Sequence, residues 1–213
     1  MARLIWGDPV NKTYQTGVDR GVLYIKGVVY AWNGLTKVTE GSEAGESRDH
    51  YIDGHKYLNL VTLEDFEAKV EAISAPIEFL ECDGYGLVTN GLIATQQRHS
   101  HFDFSYRTLM GNAAVGDAFG YRIHLVYNAL AIRDGLENVS IGENATPSIN
   151  SWTFTTRPER IQGLRPTAHF VIDSTLTPKG LMDNITQILY GDESTDSRFP
   201  SSDELYLMFS MWV

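Results

Sequence analysis

The chain has 213 residues, 43% hydrophobic and 21% charged, which is typical of one folded domain and excludes an intrinsically disordered protein. No apolar run approaches the roughly 18 residues that a membrane-spanning helix needs, and the first residues lack the pattern of a signal peptide, so we expect a cytosolic protein without membrane contact. The formal net charge of −10 excludes the basic surface on which nucleic-acid binding depends.

The first predicted elements are two short strands, residues 22–25 and 27–32, which end at the turn dipeptide Asn33-Gly34. Residues 39–53 follow and are polar, acidic and glycine-bearing. They predict a long loop between two strands, since hairpin connections usually have about 2–5 residues. Loops of this length are commonly either disordered or used for contacts.

Period-two alternation predicts four further strands. Residues 64–74 contain good helix formers, but their apolar and charged side chains alternate, which favours a strand. Residues 102–108, 121–128 and 151–155 place aromatic side chains on one face and polar side chains on the other, as half-buried antiparallel strands do. Trp152 is therefore expected in the core.

One helix is predicted over residues 178–190. A candidate N-cap at Thr177 precedes a proline at the first helical position, and an apolar stripe runs to a stop signal at Gly191. Residues 192–213 then form a C-terminal arm. Its apolar end, residues 205–213, is expected to dock onto a sheet or onto a neighbouring subunit.

These elements together predict a mainly β protein, an antiparallel β-sandwich or barrel with one flanking α-helix. No internal repeat, low-complexity tract or linker divides the sequence. We therefore expect a single domain over residues 1–213.

No group of residues predicts catalysis, a metal or a cofactor. His99, His101 and Asp103 alternate and would share one face of a strand, which is an acceptable arrangement for metal ligands. No fourth ligand is evident, and a solvated polar face explains the same pattern. The single cysteine, Cys82, is expected to be a small buried apolar residue. No nucleophile elbow occurs, and we expect no enzyme.

A series of short motifs follows in order along residues 21–191. The motifs are YIDGHKY at 51–57, LEDF at 63–66, APIEF at 75–79, CDG at 82–84, GLIATQQ at 91–97, FSYRT at 104–108, GYRIHLVYNA at 120–129, SWTFTT at 151–156, PTAHFVID at 166–173 and LYG at 189–191. The ordered series resembles the major tail proteins of siphophages, notably those of actinobacterial hosts.

The resemblance implies a β-sandwich with an outer helix, six copies of which form a ring, and rings that stack into the hollow tail tube. Genome DNA would pass through the lumen during ejection without specific binding. The implied partners are further copies of the chain, a tape-measure protein, the tail tip or baseplate and a tail terminator, in a virion tail assembled in the host cytoplasm. Many relatives carry a C-terminal immunoglobulin-like domain, and none is expected here after Gly191.

The resemblance also implies where subunits would meet. The loop between two early strands, here residues 39–53, and the terminal segments would reach the next ring. The candidate contact residues are Glu40, Glu43, Glu46, Arg48, Asp49, Tyr51, Phe209 and Trp212.

The candidate lumen residues lie on the polar faces of two predicted strands: Glu67, Lys69 and Glu71 on one, Asp103 and Arg107, with Ser105 between them, on the other. Residues 38–83 carry twelve acids and three bases, and so supply nine of the ten excess negative charges. A negative lumen would repel the DNA backbone and let the genome slide.

Two other functions compete with this interpretation. Another ring-forming virion component, a tail terminator or a head–tail connector, would form a single ring instead of a tube. A carbohydrate-binding β-sandwich would need Trp6, Trp32 and Trp152 on an exposed sugar platform.

Overall fold

The computed structural model describes residues 12–43, 47–61, 65–136, 138, 140, 147–161 and 163–212. It is mainly β, as the sequence predicts, with a large antiparallel sheet and two α-helices. The strands are β1 Thr13–Ile25, β2 Val28–Trp32, β3 Leu35–Glu43, β4 Ser47–Ile52, β5 His55–Val61, β6 Asp65–Ala72, β7 Gly86–Thr89, β8 Leu92–Ala94, β9 Phe102–Asn112, β10 Gly116–Gly135, β11 Asn150–Thr156 and β12 His169–Asp173. The helices are α1 Lys179–Tyr190 and α2 Ser202–Ser210, and a short 3-10 helix spans Ile77–Glu81.

The main sheet curls so that its two end strands come together. Its strand order is β2-β1-β9-β10-β11-β6-β3, with β12 paired to β10 as a branch. β2 and β3 stand at opposite ends of this order, yet only the turn Asn33-Gly34 separates them in the chain, as predicted. Trp32 and Leu35 can therefore lie at most about 11 Å apart. The sheet must bend round on itself, and no β2–β3 pairing closes it within the described ranges.

The inside of the curl is filled by interlocking aromatic side chains. Trp32 meets Trp152 with ring centroids 5.5 Å apart at 72°, and Phe79 meets Trp152 at 5.5 Å and 87°. Edge-to-face contacts of this kind add to the free energy of burial. Both tryptophans are buried, so Trp152 lies in the core as predicted, and neither is available for the exposed platform that a carbohydrate-binding protein would need. Trp6, the third residue of that platform, lies outside the described residues.

A second core lies on the outer face of the same sheet. Leu181, Ile185 and Leu189 form the buried side of α1 and pack against β1, β10 and β12. The sheet residues of this outer core are Val22, Tyr24, Ile123, Leu125, Tyr127 and Ile172. The predicted flanking helix is thus confirmed, but Thr177 does not cap it. The Thr177 hydroxyl donates to the Asp173 carbonyl at 2.8 Å, and the N-cap position makes no side-chain hydrogen bond.

The arm predicted over residues 192–213 contains a second helix, α2, which the sequence analysis did not predict. The Ser201 hydroxyl accepts a hydrogen bond from the Glu204 backbone amide at 3.2 Å. This Ser-x-x-Glu spacing is the signature of a capping box, which the sequence analysis overlooked. Leu205 is buried in the outer core, so the arm docks on its own subunit. In the described part of the chain, no helix is long and apolar enough to cross a membrane.

Residues 39–53 are mostly strand, so the long loop predicted there was wrong. β3 continues to Glu43 and pairs with β6, while β4 begins at Ser47 and pairs with β5. The β4–β5 connection is the turn Asp53-Gly54, where φ is 51° and 76°, as a type I′ hairpin turn requires. Polar side chains on both faces removed the alternation that marks a half-buried strand. Residues 44–46 lie outside the described residues.

The strand predicted within residues 64–74 is confirmed as β6, whose Ala68, Val70 and Ala72 are buried. The aromatic alternation of β9, β10 and β11 is confirmed as well. Cys82 is buried as expected, and burial raises the pKa of its thiol to about 12. A thiol that stays protonated is a poor nucleophile, so Cys82 acts as a packing residue.

Candidate assembly surfaces and a histidine cluster

The β4–β5 hairpin carries an exposed apolar surface. It forms a two-stranded sheet of its own, although its strands lie between β3 and β6 in the chain. Tyr51 and Tyr57 are 63% and 71% exposed, and Ile52 is also exposed. An isolated two-stranded hairpin is marginally stable in water, so packing its exposed apolar side chains against another protein would stabilise it. Tyr51 is thus free to make the contact that the sequence analysis assigned to it.

A second apolar hairpin, β7–β8, was not singled out from the sequence. Leu87, Val88, Leu92 and Ile93 are exposed on it. These apolar pairs flank the dipeptide Asn90-Gly91, which is the strongest short-range signal of a β-hairpin. The signal was therefore present in the sequence, and this hairpin adds a second surface on which a partner protein could pack.

The C-terminal helix presents a third exposed apolar group. Leu207, Met211 and Trp212 are exposed, whereas Phe209 packs against the outer core. A Cβ atom added at Gly180 would lie 3.0 Å from the Trp212 ring, so the absence of a side chain on α1 permits this close approach. Trp212, one of the two contact residues predicted here, is accessible to a partner, whereas the Phe209 side chain is partly buried within its own subunit.

Two of the predicted contact acids are engaged within the subunit. The Lys56 ammonium lies 2.7 Å from Asp49 on the facing strand of the hairpin. The Glu40 carboxylate accepts a hydrogen bond from the Tyr106 hydroxyl at 2.8 Å. Three further predictions lie outside the described residues, namely Glu46 and the side chains of Glu43 and Arg48.

The first set of predicted lumen residues shares the open face of β6. Glu67, Lys69 and Glu71 alternate with the buried residues of this strand and are partly or fully exposed. Lys69 lies 3.0 Å from Asp134, and Lys37 lies 3.7 Å from Glu71. Lysines neutralise part of the negative charge here, so the open face of β6 is mixed in charge. The lumen assignment of these residues stays a prediction.

The second set does not form a solvated polar face, so that prediction was wrong. Asp103 accepts a hydrogen bond from the Asn128 backbone amide at 2.8 Å, and burial raises the pKa of its carboxyl group. Arg107 binds Asp19 with two hydrogen bonds of 2.7 and 2.5 Å. Ser105, between them in β9, is fully buried. Alternation in the sequence separates the two faces of a strand, but it does not show that helices pack on the polar face.

A cluster of polar side chains joins three strands at one end of the inner core. Glu40 of β3, His124 of β10 and His169 of β12 bring one carboxylate oxygen and two ring nitrogens within 4.8 Å of one another. His124 Nδ1 lies 3.1 Å from Glu40 Oε1 and 3.2 Å from His169 Nε2. The other His124 nitrogen, Nε2, lies 3.0 Å from the Thr108 hydroxyl. We call these three residues the Glu-His-His cluster.

Both histidines of the cluster are held between aromatic rings and are neutral near pH 7. The Tyr106 ring stacks on His124 at 4.4 Å, and the Phe66 ring stacks on His169 at 4.1 Å. Burial, with a smaller effect of the Arg122 charge, lowers the pKa of His124 to about 4, and burial also lowers the pKa of His169. The contact between Glu40 and His124 is therefore not an ion pair at pH 7.

The residues that the sequence analysis weighed as metal ligands do not converge. His99 and His101 precede β9 instead of lying on it, and His99 Nδ1 lies 3.1 Å from the Cys82 carbonyl oxygen. Asp103 is engaged by the backbone, as described above. Within the described ranges, the donor atoms that do converge belong to the Glu-His-His cluster.

Comparison with known proteins gives little support for any function. No protein-family model matches the chain, and no curated protein matches it. Among solved structures, the six-fold symmetrised cryo-EM structure of the anti-feeding prophage (AFP) baseplate contains a similar chain. The two chains share 14% identity with a TM-score of 0.38, over 74% of this chain and 95% of that one. A similarity at this level does not establish a shared function.

Proposed function

We propose that this chain is a structural virion protein, the subunit of a phage tail tube, and that it catalyses no reaction. Six copies would form a ring, and rings would stack into a hollow conduit for genome DNA. The order of sequence motifs along the chain and the mainly β fold with an outer helix both support this proposal. Its expected partners are a tape-measure protein, the tail tip or baseplate and a tail terminator.

The observation that carries the proposal is the β4–β5 hairpin. It is separate from the main sheet and exposes Tyr51, Ile52 and Tyr57. Burying Ile52 against another subunit would contribute about 1.5–3 kcal/mol, and burial of the two tyrosine rings would add to this. The hairpin lies where the resemblance implies the contact with the next ring, so we assign a second copy of the chain as its partner.

Separate surfaces on one subunit favour an assembly that extends. The β4–β5 hairpin, the β7–β8 hairpin and the exposed end of α2 are different surfaces, and none needs to pair with itself. Contacts between unlike surfaces are heterologous, and they build rings when the rotation closes and filaments when it does not. Both kinds of contact are required in a tube of stacked rings.

The edges of the main sheet supply further contact sites. Within the described ranges, β2, β3 and β12 each pair with one neighbouring strand, which leaves one backbone edge of each strand unpaired. Unpaired edges invite pairing with another chain. Joining such edges between neighbouring subunits would extend the sheet round a ring and remove the exposed edges.

The charge distribution suits DNA passage better than DNA binding. The chain carries a net charge of −10, and both Lys69 of β6 and Lys37 of the neighbouring β3 already have acidic partners. Lysine and arginine contacts to phosphates are what hold DNA on a protein. A lumen lined by Glu67, Lys69 and Glu71 would therefore offer the phosphate backbone few free cations.

The test is the assembly of a hairpin variant that carries Tyr51→Ser and Tyr57→Ser. The matched control is Leu176→Ser, which removes a side chain that is 84% exposed outside the three apolar surfaces. We expect negative-stain images of the wild type and of L176S to contain tubes, and images of the double variant to contain none. Thermal unfolding should show that both variants remain folded. Tubes of wild-type length from the double variant would contradict the assignment of the hairpin.

A further inference from the structure

We propose that Glu40, His124 and His169 form a binding site for a divalent transition metal, with zinc as the best match. The site would join β3, on one side of the curled sheet, to β10 and β12 on the other. It is independent of the proposed function, because it rests on the geometry of the Glu-His-His cluster alone.

The distances in the cluster are close to those of a metal site. Zinc binds imidazole nitrogens and carboxylate oxygens at about 2.0–2.2 Å, so two ligand atoms of a tetrahedral site lie roughly 3.3 Å apart. His124 Nδ1 lies 3.1 Å from the Glu40 oxygen and 3.2 Å from His169 Nε2. Small outward shifts of these atoms would therefore make room for an ion between them.

Hydrogen bonds do not account for both short contacts of His124 Nδ1, although Glu40 Oε1 itself also accepts a hydrogen bond from the Tyr106 hydroxyl at 2.8 Å. His124 Nδ1 makes two short contacts, one with a carboxylate oxygen and one with a ring nitrogen, and it can carry only one proton. A proton on His124 Nδ1 can serve only one of these two contacts fully. If His169 Nε2 carries the proton instead, the lone pairs of His124 and Glu40 face each other. A cation placed among the three atoms would attract all of them.

The donor set and its surroundings match zinc chemistry. Two imidazoles and one carboxylate form a known zinc ligand set, while magnesium and calcium prefer oxygen ligands alone. The Thr108 hydroxyl can accept a hydrogen bond from His124 Nε2, which is the outer contact that orients metal-binding histidines.

Access to solvent gives the ion a way in and a fourth ligand. The His124 side chain is only 3% exposed, but the Glu40 side chain is 41% exposed. Three protein ligands would leave one tetrahedral position for water on the Glu40 side. Because β3 leads into the β4–β5 hairpin, a bound ion would also fix the strand from which that hairpin emerges.

The experiment is zinc titration of the full-length protein after chelator treatment, followed by calorimetry, with cobalt absorption spectra as a second readout. We expect about one saturable site per chain and a higher unfolding temperature in the presence of zinc. Glu40→Gln and His169→Gln should each weaken binding at least about tenfold, and Thr108→Val should weaken it by about 10–100-fold. Glu67→Gln on β6 and His101→Gln are matched controls that should bind as the wild type does.

The proposal is overturned if no saturable site with one zinc per chain is found, or if E40Q and H169Q bind zinc as tightly as the wild type. Equal losses in E67Q or H101Q would also overturn it, because binding would then depend on other residues. Circular dichroism of the metal-free variants checks their folding. If H169Q does not fold, the exposed E40Q decides the outcome.

Discussion

The buried ion pair between Arg133 and Asp83 gives the sharpest prediction about stability. The Asp83 side chain is 1% exposed, and its carboxylate accepts a hydrogen bond from the Trp152 indole at 2.8 Å. Arg133 Nε donates to the same carboxylate at 3.0 Å, and a second guanidinium nitrogen also contacts it. The substitution Arg133→Met removes the positive charge and retains most of the side-chain volume.

The expected loss follows from the burial of Asp83. Breaking a buried ion pair by removing one partner costs about 3–5 kcal/mol, because a charge is left uncompensated. Arg133 is 21% exposed, so water would partly replace it, and we expect about 3 kcal/mol, the lower end of this range. For a chain of this size, that loss lowers the unfolding temperature by roughly 6–12 °C.

The assay is denaturant unfolding of R133M, of Asp83→Asn and of the double variant. The double variant should be more stable than R133M alone, because it no longer buries an unpaired carboxylate. The control is Arg198→Met, which breaks the exposed pair with Glu204 and should cost less than about 1 kcal/mol. An R133M loss as small as that of R198M would refute the reasoning.

Three further predictions concern packing, backbone conformation and pH. Leu181→Ala, which opens a cavity under α1, should cost about 2–5 kcal/mol in denaturant unfolding. Gly34→Ala should cost more than about 1 kcal/mol in the same assay, because φ is 140° and a Cβ atom would lie 3.0 Å from the Ser74 carbonyl oxygen. Burial raises the pKa of Asp173, but hydrogen bonds from Thr175 and Arg122 outweigh it and hold this pKa below the ordinary value of 3.8. Its stabilising effect is therefore complete above pH 3.8 and lost as pH falls further, so Asp173→Asn should flatten the acid limb of the unfolding temperature measured against pH.

The sequence predicts most of the fold where one face of an element is buried. β6 is an example, because Ala68, Val70 and Ala72 alternate with charged residues that face solvent. The β4–β5 hairpin was missed because its strands expose polar residues on both faces, which removes the periodic signal. α2 was missed for a different reason. Its apolar residues were interpreted as a docking segment, and the capping signature of Ser201 and Glu204 was overlooked.

The candidate sites depend on information that periodicity does not contain. Glu40, His124 and His169 lie far apart in the chain. The pairing of β12 with β10 brings the two histidines together, and the curl of the main sheet adds Glu40 of β3. The polar residues of β9 were assigned to a lumen because alternation gives two faces without saying which one a helix covers. Tyr51, by contrast, lay in a segment that the resemblance already marked for contact, and it is exposed.

The measurement that tests the central claim most directly is cryo-EM of the assembled wild-type protein with a reconstruction of its symmetry. We predict a hollow tube of stacked rings, with the β4–β5 hairpin between rings and Glu67, Lys69 and Glu71 facing the lumen. Single rings that never stack would contradict the claim and favour a tail terminator or head–tail connector. A tube in which these three side chains face outward would contradict the lumen assignment.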